Sequence, residues 1–383
     1  MFYSYKFRLC PNVSQQRKLA NTFGCARFVW NKYVEQFNNK EKLKKISKLR
    51  EEFPFLKQVS SHALGNDRLS FEATLKQFFN KKRKARINKP QFKSKNDNDS
   101  FSLDSRARIY GNTIQIEKVG RVKIIIDRPI IGRIFGVTVS RNKANQYFAA
   151  IKVEKEDFQP LPKTGKQIGL DVGLKYFVTF NDGQTIENPR YFVNNQDKIA
   201  RLQLWLSKKT VGSTRFKKLK LRLAKQHLRV ANRRKHFLHN LSAKIVRDFD
   251  FIAVEDLNIK GMIKNHKLAK AISDVSWGEF SRQLEYKSKW YGKTFQKIGR
   301  FEPTSKTCSN CGCIKDQFKL SERTYSCEHC DKVLDRDMNA AVNILNTALE
   351  NHSAKQTLME AEVGRPCETF NAIIEIPARL RVM

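Results

Sequence analysis

Four cysteines set in two C-x-x-C knuckles, Cys308-Ser309-Asn310-Cys311 and Cys327-Glu328-His329-Cys330, stand with 15 residues between them. That is the spacing of a four-thiolate zinc ribbon: each knuckle offers two thiolates to one tetrahedral Zn²⁺, and the metal replaces the core that so short a segment cannot build. The start of the chain, Met1-Phe2-Tyr3-Ser4-Tyr5-Lys6, has no uninterrupted apolar stretch of the secretory kind, which favours a metal over disulfides. Cys313 and His329 lie within the ribbon but off the knuckle spacing and read as non-ligands, while isolated Cys10, Cys25 and Cys367 read as small buried hydrophobes.

Three carboxylates could do a second kind of chemistry. Asp171 sits in Gln167-Ile168-Gly169-Leu170-Asp171-Val172-Gly173, an apolar strand with one acid between glycines. Burying it costs several kcal/mol unless it is paired or ligates a cation. Glu255 leaves the apolar run Phe249 to Leu257, and Asp337 lies near the start of a helix that follows the ribbon directly. Phosphodiester hydrolysis needs an activated water and a stabilised leaving oxygen, and two divalent ions about 4 Å apart supply both when carboxylates hold them. Oxygen-rich sites of that kind suit Mg²⁺ or Mn²⁺. Taken singly, Asp171 also reads as a buried pairing, Glu255 as a strand-end charge and Asp337 as a helix cap. Asp182, in the turn Asn181-Asp182-Gly183, reads as turn chemistry.

The rest of the chain must position these groups and neutralise a polyanion. Lys plus Arg number 74 against 37 Asp plus Glu, a formal charge of +37, which points to nucleic acid rather than a membrane surface. No apolar run approaches a spanning helix, so the expectation is a soluble, cytoplasmic, nucleic-acid-binding protein without a membrane partner. From Asp197 to Asp248 runs a helical hairpin broken at Gly212-Ser213-Thr214. Between Lys198 and Arg247 it has no acidic residue, whereas a solvated face would mix signs. Leu219, Leu223, Leu238, Leu241 and Ile245 supply its packing face. Lys81 through Lys95 is a basic, low-apolar segment that reads equally as a solvated linker or a phosphate-contacting loop.

At 383 residues the chain can hold two or three domains. Phe2 to Leu9 alternates like a strand, with Phe7 and Leu9 on one face. A helix follows, started by Asn12 with Gln15 three residues on, its stripe passing through Leu19, Phe23, Val29, Trp30, Tyr33 and Phe37. Further helical stretches cover Lys42 to Phe53 and Val59 to Lys82, the latter with Leu64, Leu69, Leu75, Phe78 and Phe79 as candidate core. Short β runs then span Thr113 to Glu117, Arg121 to Asp127, Phe135 to Ser140 and Tyr147 to Val153, enough with the first strand for a small barrel. After punctuation at Pro160, Pro162 and Gly165 come the Asp171 strand, Tyr176 to Phe180, the hairpin, the Glu255 strand, a helix over Trp277 to Tyr291, and a strand over Thr294 to Gly299. That order of strand, hairpin, strand and helix is what an RNase H-like sheet requires.

Gly169-Leu170-Asp171-Val172-Gly173, Val254-Glu255-Asp256-Leu257, Ser273-Asp274-Val275-Ser276-Trp277-Gly278-Glu279-Phe280, the two knuckles and Asp335-Arg336-Asp337-Met338-Asn339-Ala340-Ala341 together resemble the TnpB (OrfB) family of IS200/IS605 transposons. So do Tyr5-Lys6-Phe7-Arg8-Leu9-Cys10-Pro11 and Gly24-Cys25-Ala26-Arg27-Phe28-Val29-Trp30-Asn31, so the likeness reaches to about Leu345. It implies a multidomain α+β architecture. A wedge β-barrel would take 1–12 and 96–160, a helical recognition insertion 13–95, an RNase H-like (RuvC) domain 166–303 and 334–383, and a zinc ribbon 304–333. It implies an RNA-guided DNA endonuclease related to type V CRISPR effectors. A transposon-derived guide RNA would pair with double-stranded target DNA beside a short adjacent motif, and a single RuvC site would cut with Mg²⁺. By position, Asp171, Glu255 and Asp337 would be the catalytic, metal-holding acids, with Asp335 the near alternative to Asp337; Cys308, Cys311, Cys327 and Cys330 would hold zinc. Relatives that bind without cutting, as repressors, are the alternative, against which the presence of all three acids argues. In the third helix Ser61, His62 and Gly65 stand where larger polar readers of the adjacent motif are expected, and beyond Leu345 the tail is expected to be flexible in part.

Overall fold

The computed structural model describes residues 2–80, 87–95, 98–104, 107–300, 302–315 and 322–363, with side chains through Lys355. Cys367, part of the basic segment Lys81–Lys95 and the end of the tail lie outside the described residues. The chain divides into two compact units, one of 1–158 with 195–232 and one of 159–194 with 233–383.

In the first unit, β1 (Phe2–Cys10) is followed by α1 (Val13–Asn38), α2 (Ile46–Glu52) and α3 (Ser61–Phe79). The chain then returns through β2 (Asp99–Leu103), β3 (Arg108–Tyr110), β4 (Thr113–Ile116), β5 (Gly120–Ile125), β6 (Arg133–Arg141) and β7 (Tyr147–Glu154). The strands form one antiparallel sheet in the linear order β2-β6-β7-β1-β5-β4-β3. Alternation does the packing: Tyr5, Phe7 and Leu9 share a core with Val137, Val139, Ala149 and Ile151, joined by Leu19 and Phe23 of α1. Helix α1 starts in a capping box, Asn12 accepting from the Gln15 N–H at 2.9 Å while Gln15 accepts from the Asn12 N–H at 3.0 Å.

The far half of α1 builds a second core with α2 and α3, where Val29, Tyr33, Leu49, Leu56, Leu64 and Phe71 are buried. Two expectations for α3 are corrected here. Leu69 and Phe79 are each 62% exposed, whereas Phe71 is fully buried. The helix turns its Ala63, Leu64, Asp67 and Phe71 inward, a stripe whose apolar period an acid interrupts. Cys10 is exposed at the end of β1, against its expected burial, while Cys25 is buried.

The second unit begins with β8 (Gln167–Asp171), β9 (Tyr176–Phe180) and β10 (Thr185–Glu187). The helical hairpin α4 (Gln196–Ser207) and α5 (Thr214–Asp248) follows, α5 passing from the first unit into the second at Asn232–Arg233. Then come β11 (Phe251–Glu255), α6 (Ile259–Met262), α7 (Ala269–Val275), α8 (Trp277–Trp290), β12 (Thr294–Ile298), β13 (Thr324–Ser326), β14 (Val333–Asp335) and α9 (Arg336–Val363). The main sheet has the order β10-β9-β8-β11-β12, antiparallel as far as β8 and parallel from β8 through β11 to β12.

One face of this sheet, with Ile168, Leu170, Ile252 and Val254, packs with Leu238, Leu241 and Ile245 of α5 and Phe280 and Leu284 of α8. The other face, with Phe251, Ala253 and Ile298, packs with Ile344 and Ala348 of α9. Helix α9 continues past Leu345 to Val363, and its Ala348 still has sheet to cover. Among the described residues, no helix is long and apolar enough to cross a membrane.

Candidate metal-binding acid site and zinc ribbon

Asp171 and Glu255 end neighbouring parallel strands. The last registered pair of β8 and β11 is Leu170 with Val254, so the two acids stand one residue further along, side by side at the carboxyl edge of the sheet. Successive side chains alternate between faces, which puts them on the face of Gly169 and Ala253, the one α9 covers.

Asp337 reaches the same edge from the helix. The ring of His352 lies 5.4 Å from that of Phe251, at the start of β11, while Gly169 lies against Ala341 and Leu345. Helix α9 therefore runs against the strand direction, and its first turn, with Asp337 one turn before Ala341, lies at the carboxyl ends of β8 and β11. The close approach depends on Gly169, since a Cβ there would stand 2.1 Å from the Ala341 carbonyl oxygen.

The charges in this cluster oppose one another. Burial, then the charges of Asp337 and Glu255, push the Asp171 carboxyl up to about 7, against the pull of Arg336. Burial and the adjacent Asp256 also raise Glu255. Asp337 is held by arginines, with Arg336 Nη2 at 3.0 Å and Arg323 Nη1 at 3.6 Å. Asp335 is committed differently: its Oδ1 accepts the N–H groups of Asp337 at 2.9 Å and Met338 at 3.1 Å, so it caps the helix. The three carboxylates are drawn to one edge without their oxygens all lying within 4.8 Å of one another. Asp182 accepts from the Gln184 N–H at 2.9 Å, which is turn chemistry.

The four knuckle cysteines come together. Cys308 and Cys330 have their Sγ atoms 3.6 Å apart, Cys311 and Cys327 theirs 3.5 Å apart, and all four sulfurs lie within 4.8 Å of one another. Four thiolates so grouped could hold a zinc ion. The Asn310 side chain donates to Cys330 Sγ, and that bond, with the Lys332 backbone, lowers the thiol to about 6. Cys313 and His329, set aside on spacing, also lie next to Cys311, their ligating atoms within 4.8 Å of it.

Sequence reasoning missed Arg323 and Arg336 as partners of Asp337, and it gave Asn339 no role beyond motif membership and Asn343 no role. Two asparagines four apart inside a helix, where Asn is unfavourable, were the available signal.

In the first unit a groove of about 1000 Å³ is lined by Lys95, Arg141, Lys143, Lys217, Lys220 and His227, among others. Along α5, Arg215, Lys218, Arg222, Lys225 and Arg229 are exposed.

The fold is of the Cas12f1 class, mixed α/β with a cysteine cluster able to hold zinc. It superposes on the cryo-EM structure of a Cas12f1-sgRNA-target DNA complex with a TM-score of 0.50 at 16% identity, covering 87% of this chain and 81% of that one. The chain belongs to the TnpB (OrfB) family of IS200/IS605 elements. Family models match as a probable transposase of the OrfB IS605 type over residues 150–266, a Cas12f1-like TNB domain over 277–344 and a helix-turn-helix domain over 1–43. Two bacterial proteins described as "putative RNA-guided DNA endonuclease" are similar along nearly their whole length. The one from Streptomyces pristinaespiralis is 33% identical over 90% of this chain and 89% of its own. The one from Escherichia coli K12 is 28% identical over 89% and 91%. The TnpB-like protein L79 of Acanthamoeba polyphaga mimivirus is 33% identical over 49% of this chain and 38% of its own.

Proposed function

We propose that this chain is an RNA-guided DNA endonuclease that cuts target DNA beside a short adjacent motif, at a single acid site formed by Asp171, Glu255 and Asp337. The observation that carries the reading is the meeting of two strand-end acids with the first turn of α9 at one sheet edge. The strand order and directions suit an RNase H-like (RuvC) domain of 166–303 and 334–383 with the ribbon of 304–333 inserted. The antiparallel sheet suits a wedge barrel of 1–12 and 96–160, with 13–95 as the recognition insertion.

Bound Mg²⁺ or Mn²⁺ would supply an activated water and a stabilised leaving oxygen. The residues fit such ions: hard oxygen donors, gathered so that their charges repel and Asp171 is pushed up to about 7. Asp171 and Glu255 would hold metal from the sheet and Asp337 from the helix. Arg336 and Arg323, which now balance Asp337, would yield that carboxylate to the metal and remain near to face phosphate. The lysines and arginines of α5 and of the groove would bind the guide RNA and its hybrid with DNA through phosphates, leaving sequence to base pairing. Zinc at the four thiolates would hold the ribbon.

The test is to purify the protein with RNA expressed from its own flanking sequence and offer plasmids carrying a matching target beside randomised flanks. Guide-dependent cutting in Mg²⁺, lost in Asp171→Ala, is expected. Cutting that ignores the guide removes the guided reading, and binding without cutting by the unaltered protein replaces it with a repressor.

A further inference from the structure

Helix α9 is tied to the ribbon at both ends of its first turns. Asn339, fully buried, accepts from the Ser309 N–H through Oδ1 at 2.9 Å and donates through Nδ2 to the Thr307 carbonyl at 2.7 Å. Asn343, one turn on, donates to the carbonyls of Thr304 and Thr307, each at 2.7 Å. Ser309 lies inside the first knuckle and Thr307 directly precedes it. The second knuckle is joined to the helix through the chain itself, because β14 runs without a break into α9 and pairs with β13. There the Arg336 N–H donates to the Arg323 carbonyl at 2.8 Å, and the Arg323 guanidinium stands 3.6 Å from Asp337.

Buried amides in a helix interior weaken the helix unless their hydrogen bonds are made. Here every bond of the pair goes to ribbon backbone, so these side chains fix the first knuckle against the turn that carries Asp337. We infer that Asn339 and Asn343 are positioning residues through which the metal-held ribbon sets the place of the Asp337 carboxylate at the acid site. The inference rests on the nuclease reading for its consequence in cutting, but the mechanical tie stands independently of it. When zinc holds the knuckles, Thr307 and Ser309 present a rigid pair of partners. Without it both knuckles loosen, and the first turn of α9 loses its anchor on either side.

The experiment follows the full-length protein with its co-purified RNA. Hydrogen exchange is measured on the peptide covering 336–343, with zinc present and after chelation, in the unaltered protein and in Asn339→Leu and Asn343→Leu. Zinc content, RNA affinity and the Mn²⁺ concentration for half-maximal cutting are measured beside it. Faster exchange is expected after chelation and in both variants. The Mn²⁺ requirement should rise about tenfold, the scale for partners that orient metal ligands, with zinc content and RNA affinity kept. Asn339→Asp, which retains only the acceptor toward Ser309, should fall between. If Asn339→Leu does not fold, Asn343→Leu and the chelated unaltered protein still decide. Unchanged exchange at 336–343 in both overturns the tie. A Mn²⁺ requirement unchanged in variants that have lost stability reduces the asparagines to packing. Absence of cutting by the unaltered protein sinks the nuclease reading and leaves the exchange result to judge the tie.

Discussion

Gly169 of β8 and Ala341 of α9 meet so closely that a Cβ on the glycine would stand 2.1 Å from the alanine carbonyl oxygen and 2.9 Å from the Leu345 Cβ. No side chain fits without moving helix backbone, and that helix carries Asp337. Gly169→Ala should therefore cost about 1–3 kcal/mol in unfolding, the scale for an overpacked contact. It should impair cutting more than RNA binding, because the displaced element belongs to the acid site. Denaturant unfolding and filter binding on the same preparation check this. A variant as stable and as active as the parent would show that α9 does not rest on β8 as described.

Asp171 gives a pH prediction. Its carboxyl is raised to about 7 in the folded protein from an ordinary value of 3.8. The fold thus favours the protonated form, and the stability present below the unfolded value is lost as pH climbs from about 4 through 7. In EDTA, Asp171→Asn should raise Tm at pH 8 and change it little at pH 4. Adding Mg²⁺ should stabilise the parent at pH 8 and the variant much less. Equal responses of the two proteins to Mg²⁺ would remove Asp171 from the proposed metal site.

Asp67 supplies the contrast. Burial pushes it up to about 7 as well, opposed by Lys93, and its Oδ2 has no hydrogen-bond partner among the described residues. It lies in the first unit, and its sign is the same, stability falling as pH passes from about 4 through 7. Asp67→Asn should therefore raise Tm at pH 8 more than at pH 4, with no dependence on Mg²⁺. A Mg²⁺-dependent gain would mean this acid, too, meets a cation.

These residues also show what the sequence could and could not reveal. The knuckles were legible because thiolate spacing is local, and the end-of-strand acids because charge inside an apolar run is conspicuous. The capping box at Asn12 and the alternation of β1 were equally local. Asp67 hides the true stripe of α3: a polar residue facing inward breaks the apolar period, so the pattern points to Leu69 and passes over Phe71. Strands β2 and β3 were invisible, since Asp99-Ser100-Phe101-Ser102-Leu103 and Arg108-Ile109-Tyr110 are short and owe their pairing to neighbours. The amide tie between α9 and the ribbon joins Asn339 to Ser309, a relation that only the folded chain creates.

The ribbon predicts its own stoichiometry. Cys308, Cys311, Cys327 and Cys330 form one closed four-sulfur set, while Cys313 and His329 only border Cys311. A closed set of four thiolates satisfies zinc fully. Purified protein should carry one zinc per chain, lost in Cys327→Ser and kept in Cys313→Ser and in His329→Ala. Elemental analysis settles it, and loss of zinc in Cys313→Ser would move that residue into the ligand set.

The last prediction concerns the basic groove. Lys217 and Lys220 line it from α5, together with Arg141 at the end of β6 and Lys143 of the β6–β7 turn, and both lysines are exposed. A lysine that neutralises one phosphate releases counterions, so it contributes to the slope of log affinity against log salt. Lys217→Ala and Lys220→Ala should each weaken RNA binding without regard to guide sequence and lower that slope by about 1. The effects should add, because separate point charges in solvent interact weakly at working ionic strength. Arg141 differs, since its guanidinium is tied to Asp99 at 2.6 Å. Replacing it should cost stability in the first unit as well as affinity. A salt slope unmoved by the two lysines would place the RNA on another face of α5 and leave the groove without a nucleic-acid role.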